Sequence, residues 1–127
     1  MSAGAAVRGA MAAAVRAGVP GVEVFVSAAA AGVRPSVEIG EPQASDWSAV
    51  GIRGRELRTA ATVRVADGQR GRLSELCAAV ERAGEGIGGN IGGWRVAGAV
   101  FLRARPVADK GSGVAVLVEH RVRVVEG

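Results

Sequence analysis

The sequence predicts an α+β fold, with one mainly antiparallel sheet of about four to five strands and two helices packed on it. Three observations carry this expectation. Residues 57–65 and 114–125 alternate side chains with a period of two, as strands with one buried face do. Residues 3–17 and 69–83 instead place their apolar side chains at helical spacing. The resulting order is helix, strand, strand, arm, strand, helix, strand, strand. With no internal repeat and no dividing linker, the 127 residues read as one domain carrying an exposed arm at about 41–54.

The first helix is built from strong helix formers, with Val7, Ala10, Met11, Ala14 and Val15 on one face and Arg8, Ala12 and Arg16 turned away. Gly18, Val19, Pro20 and Gly21 stop it. Its outward face is also mostly alanine, so it suits a neighbouring subunit as well as water, although covering its own sheet is the simpler expectation. Val22, Val24 and Val26 then alternate with Glu23, Phe25 and Ser27 to give a short strand. A connector at 28–33 carries little information, and Pro35 leads into a second strand at 36–40.

Residues 41–54 show no periodicity and hold Pro42, Gly51, Gly54 and one Trp. An aperiodic stretch of that length inside a compact domain is usually functional or mobile. Trp47 tips the balance toward a contact arm, because an exposed Trp is costly in water and favoured at interface anchors. The following strand turns Leu57, Thr59, Ala61, Val63 and Val65 inward and Glu56, Arg58, Ala60, Thr62 and Arg64 outward.

Asp67 and Gly68 end that strand, and the second helix sets Leu73, Leu76, Cys77 and Val80 on one face. Cys77 reads as core packing rather than as a reactive thiol. Residues 84–93 hold six glycines and formally match a GxGxxG pattern at Gly84, Gly86 and Gly89. A dinucleotide loop must follow a strand and open a helix. Here the order is reversed, so the stretch reads as a flexible helix-to-strand connection. In the strand at 94–105, Trp94, Val96, Val100 and Leu102 are expected on one face and Arg95, Phe101, Arg103 and Arg105 on the other. After a turn at 106–113, the last strand sets Val114, Val116, Val118, His120, Val122 and Val124 opposite Ala115, Leu117, Glu119, Arg121, Arg123 and Val125. Two strands presenting arginines on one face imply a second layer or a neighbour over part of it.

Composition argues for a folded protein and against disorder, with 49% hydrophobic and 22% charged residues. The apolar content is mostly Ala and Val, so the core must be thin and closely spaced. The net charge of +4 permits contact with phosphate or acidic protein surfaces. Fifteen of the sixteen basic residues are arginine; spread along the chain without an aromatic stacking series, they suggest dispersed surface and interface arginines rather than a dedicated nucleic-acid patch. A lone cysteine forms no internal disulfide. The N-terminal segment falls short of the ~18 to 20 apolar residues of a membrane helix and lacks a signal-type apolar core, so a soluble, cytosolic product with no membrane partner is expected.

No catalytic site is legible. His120, the single histidine, reads as a packed, hydrogen-bonded core residue, and one His with one distant Cys makes a zinc centre improbable. No Ser, His and Asp arrangement has support from spacing alone. Glu38, Glu41 and Asp46 offer carboxylates, but exposed acids around a loop are usually solvated. No cofactor is expected, and the chain is read as not an enzyme.

The run Pro35, Ser36, Val37, Glu38, Ile39, Gly40 and Glu41, the Asp46, Trp47 and Ser48 arm, the strand at 57–65, the helix at 72–83 and the strands at 95–105 and 114–126 together resemble the tail-completion, or tail terminator, family of long-tailed bacteriophages and phage-like gene transfer agents. The resemblance spans nearly the whole chain. It departs from the usual pattern at the glycine-rich segment and in the alanine-rich first helix. It implies a structural virion protein, made in the bacterial cytoplasm, that forms a hexameric ring at the head-proximal end of the tail tube. Such a ring ends tube growth and offers the head-tail joining surface. The implied partners are further copies of the chain, the tail tube protein, the head connector or stopper, and packaged DNA passing through the lumen without sequence-specific binding. Asp46, Trp47, Arg53, Arg55, Arg105, Asp109 and Lys110 are the candidate interface residues. Two alternatives stand beside this reading: a head-closure or connector protein of the same particle, and a small nucleic-acid-binding module using Arg58, Arg64, Arg103, Arg121 and Arg123.

Overall fold

The alternation around residues 57–65 belongs to a strand of 13 residues, β4 (Gly54–Ala66), and this strand organises the sheet. The computed structural model describes residues 1–26, 32–109, 111 and 113–127. Along one edge β4 pairs over its whole length with β7 (Gly113–Glu126), antiparallel, from Gly54 opposite Val125 to Ala66 opposite Gly113. Its other edge is shared by two short antiparallel strands, β2 (Ser36–Ile39) opposite residues 61–64 and β3 (Gln43–Asp46) opposite residues 55–58. Beyond β2 lies β1 (Glu23–Phe25), parallel to it, and beyond β7 lie β6 (Trp94–Val107) and β5 (Asn90–Ile91). The sheet is therefore seven-stranded and mixed, larger than the four to five mainly antiparallel strands expected. The difference lies in β3 and β5, segments too short or too polar to show a period, and in the parallel pairing of β1, which no local pattern encodes.

Both helices lie on one face. Helix α1 (Ala3–Gly18) begins where the Ser2 hydroxyl accepts from the Ala5 N–H at 3.1 Å, and it ends as expected before Pro20. Ala12, expected outside, is buried. The reason is that α1 packs on the second helix as well as on the sheet, so its buried arc is wider than one stripe. Arg8 is not free either: its guanidinium donates to the carbonyls of Val26 and Ile39 and ties α1 to the ends of β1 and β2.

A 3-10 turn (Asp67–Arg72) occupies the first residues assigned to the second helix, and α2 proper runs Leu73–Glu85. Its buried residues Leu76 and Val80 meet Val63, Val65 and Val118 of the sheet, with Leu73 and Cys77 half-buried beside them. Burial pushes the Cys77 thiol above its ordinary value and so disfavours the thiolate.

The alternation expected in β6 fails at its centre. The register of β6 against β7 shifts between Val96 and Gly98 and again between Phe101 and Arg103. Each bulge inserts a residue and moves the following side chains to the other face. Phe101 consequently joins the core and packs edge-on to His120, ring centroids 5.8 Å apart, while Val100 turns to the opposite face across from Arg121.

Candidate functional site

Two surfaces stand out, the arm and the sheet face that the helices leave open. The arm is a hairpin: β3 rises against β4, and residues 47–53 form its tip, closed by the Trp47 N–H donating to the Gly54 carbonyl at 3.1 Å and by a bridge between Ala49 and Ile52. The aperiodic polar residues expected as a loop thus pair in part with β4. Ser48 knots the base of the tip. Its hydroxyl donates to Asp46 at 2.7 Å and accepts from the Gly54 N–H at 3.0 Å, while Arg55 reaches Asp46 at 3.2 Å. The Ser48 hydroxyl, ahead of the Ser48 backbone N–H and the Arg55 guanidinium, holds the Asp46 carboxyl below the usual carboxylate range.

Trp47 is 38% exposed and folds over the end of the open face, where the Arg123 guanidinium lies 5.0 Å from its ring centroid. Gly54 makes this seat possible, because a side chain there would put Cβ 2.6 Å from the Trp47 carbonyl oxygen. Beside the ring, Ile52 and Val125 line a hollow of about 450 Å³ with Asp46, Ser48 and Ala49. Val50 at the tip is fully exposed and Ile52 half-exposed. Arg53 is exposed and approaches Glu126 at 3.8 Å.

At the far end of β6 and β7 the expected residues separate. Arg105 is half-exposed and loosely paired with Glu119 at 3.8 Å. Asp109 is turned inward, its carboxylate only 4% exposed, and is held by Arg34 through two hydrogen bonds of 3.0 and 3.1 Å and by Arg64 at 3.8 Å. Lys110 lies outside the described residues.

Register places the arginines of the strands together. On the open face β4 contributes Arg58 and Arg64, β7 contributes Arg121 and Arg123, and β6 contributes Arg95, Arg103 and Arg105. Residues up to 65 apart in the chain share one surface once β4, β7 and β6 align, which extends to three strands the arginine face expected of two. Glu38, Glu56 and Glu119 interleave with them: Arg64 meets Glu38 at 2.7 Å, Arg123 meets Glu56 at 2.8 Å and Arg103 meets Glu119 at 2.7 Å. The bond to Glu119 raises the Arg103 pKa further.

His120 points the other way, into the core. Its Nε2 lies 3.0 Å from the Glu81 carbonyl oxygen, so the Nε2–H tautomer donates there. The ring fills a space beside α2 that exists because residue 84 is glycine. Among the described residues no group of three or more His, Cys, Asp or Glu is placed to hold a metal ion, and no helix is long and apolar enough to cross a membrane.

No family model matches the chain, and no curated protein does. Among solved structures, a chain of the virion of a native gene transfer agent particle has a similar fold, with a TM-score of 0.69 and 23% sequence identity, over 98% of this chain and 95% of that one.

Proposed function

We propose that this chain is a structural subunit of a phage-like particle, and that it assembles into a ring at the head-proximal end of the tail tube. The observation that carries the reading is the likeness to a gene transfer agent virion chain along nearly the full length of both proteins. It agrees with the family resemblance legible in the sequence. In this reading the ring has six copies, ends growth of the tube and offers the surface on which the head connector docks; packaged DNA passes through its lumen.

Two patches on the chain support ring closure in particular. A head-to-tail ring needs two different patches on each subunit. The arm supplies an apolar projection in Val50, Ile52 and Trp47. A hollow of about 360 Å³ away from the tip, lined by Gly4, Ala5, Arg8 and Gly9 of α1 with Ser2, Val26, Glu41 and Pro42, supplies a mainly apolar recess. The chemistry is that of contact and not of catalysis, with Asp46, Trp47, Arg53 and Arg55 at the arm as the primary interface.

Light scattering during size-exclusion chromatography, over a range of concentrations, tests the ring. A hexamer, or a monomer that converts to one as concentration rises, is the expected result. A monomer at every concentration that also fails to join purified tail tubes would sink the reading.

A further inference from the structure

The net charge of the chain is concentrated on one surface. The open sheet face, with Glu41 at its edge, holds seven arginines against four glutamates, a surplus of three within the +4 of the whole sequence. The charged residues elsewhere in the sequence, nine basic and eight acidic, nearly cancel.

Two features mark this face as incomplete by itself. Arg58 and Arg121 stand directly opposite each other on β4 and β7, a like-charge cross-strand pair that costs stability. Arg58 has no ion pair among the described residues, and Arg121 reaches only Glu56, at 4.0 Å, which Arg123 already holds. Next to this pair, Arg58, Arg103 and Arg105 line a hollow of about 290 Å³ with Gln43, Ala60 and Leu117, and with Glu41 and Glu119 beside them. A carboxylate placed there would meet several guanidiniums, groups that can pair with it in bidentate fashion.

The pattern also selects among occupants. A second copy of the chain is itself net positive, at +4, and is not the acidic body that this surplus selects. A nucleic-acid strand would find no stacking platform here, because the aromatic at the edge of the face, Trp47, is already covered by Arg123, and Glu38, Glu56 and Glu119 interleave with the arginines. A mosaic of arginine, glutamate and aliphatic side chains such as Val100 and Leu117 matches instead a protein surface of mixed sign with an acidic excess. We infer that the open sheet face is a docking surface for a different protein with an acidic contact surface, whose carboxylates bridge Arg58, Arg121 and the Arg103 and Arg105 pair. The inference concerns the sheet and not the arm, so it stands whether or not the chain closes into a ring.

Fluorescence anisotropy with labelled poly-L-glutamate, standing in for the acidic surface, and with a short DNA duplex tests it on the full chain. Poly-L-glutamate should bind at low salt and dissociate as salt rises. The double variant Arg58→Gln with Arg105→Gln should bind at least about tenfold more weakly. Arg70→Gln with Arg72→Gln, on the 3-10 turn, should keep the original affinity. Circular dichroism checks that each variant is folded, and if the first double variant is not, Arg58→Gln alone is read. Unchanged binding by the Arg58 and Arg105 variant, an equal loss in the Arg70 and Arg72 variant, or no binding of poly-L-glutamate would each overturn the assignment. Equal or tighter binding of the duplex, with the same dependence on Arg58 and Arg105, would give the face to nucleic acid and overturn it as well.

Discussion

A methyl group at position 84 would lie 2.3 Å from Nε2 of His120, closer than any side chain tolerates. Gly84→Ala should therefore destabilise the protein by about 1–3 kcal/mol through overpacking, despite the roughly 1 kcal/mol that alanine gains over glycine in a helix. Urea unfolding measures the difference, and in a His120→Ala background the sign should reverse because the ring that caused the clash is gone. Gly9→Ala, whose Cβ meets nothing within 4 Å, is the control and should stabilise. At this scale the sequence was informative about His120, whose place in the valine file of β7 marked it as a core residue. It was silent about Gly84. A glycine just before several others looks like a linker, and only the approach of β7 to α2 shows that its missing side chain is the space the histidine occupies.

Among the elements, the arm depends most on a titratable group. The Asp46 carboxyl is held below its usual value by the Ser48 hydroxyl first, with Arg55 adding to the effect. A depressed folded pKa means that the ionised carboxylate favours the ordered tip. That contribution is fully present above the ordinary value of about 3.9 and fades as pH falls through the lower folded value. In a Trp94→Phe background, Trp47 fluorescence should report the tip loosening in acid, and Asp46→Asn should show the loosened signal already at neutral pH. A pH profile unchanged by Asp46→Asn would show that the knot at Ser48 does not order the tip. The arm's position between β2 and β4 was legible, as was the exposure of Trp47. Its pairing was not, because Gln43, Ala44, Ser45 and Asp46 are all exposed and no apolar file records their contact with β4. The same holds for β6, where two bulges reset the alternation that the sequence seemed to continue.

For the molecule as a whole, the proposed ring contact and the proposed docking face lie on separable parts, the arm and the sheet. Trp47 and Gly54 are already hydrogen-bonded across the base of the tip, so residues 48–53 can be replaced by an Asn-Gly turn without disturbing the sheet. The variant should unfold within a few degrees of the original in a thermal melt, yet fail to assemble when its native mass is measured. Assembly at full strength would remove the arm from the ring contact. Periodicity and punctuation alone determined two helices, the long strands and the buried files of β4 and β7, because each is written in neighbouring residues, and composition gave the size and sign of the charge. Tertiary structure alone decided that β2 and β3 share one edge of β4, that β1 joins in parallel, and that Arg58 faces Arg121. The physical reason is that strand pairing and register join residues far apart in the chain through hydrogen bonds that any backbone can make. A side-chain pattern says which face is buried but not which strand lies beside it, and the gathering of most of the net charge on one surface follows from that second choice.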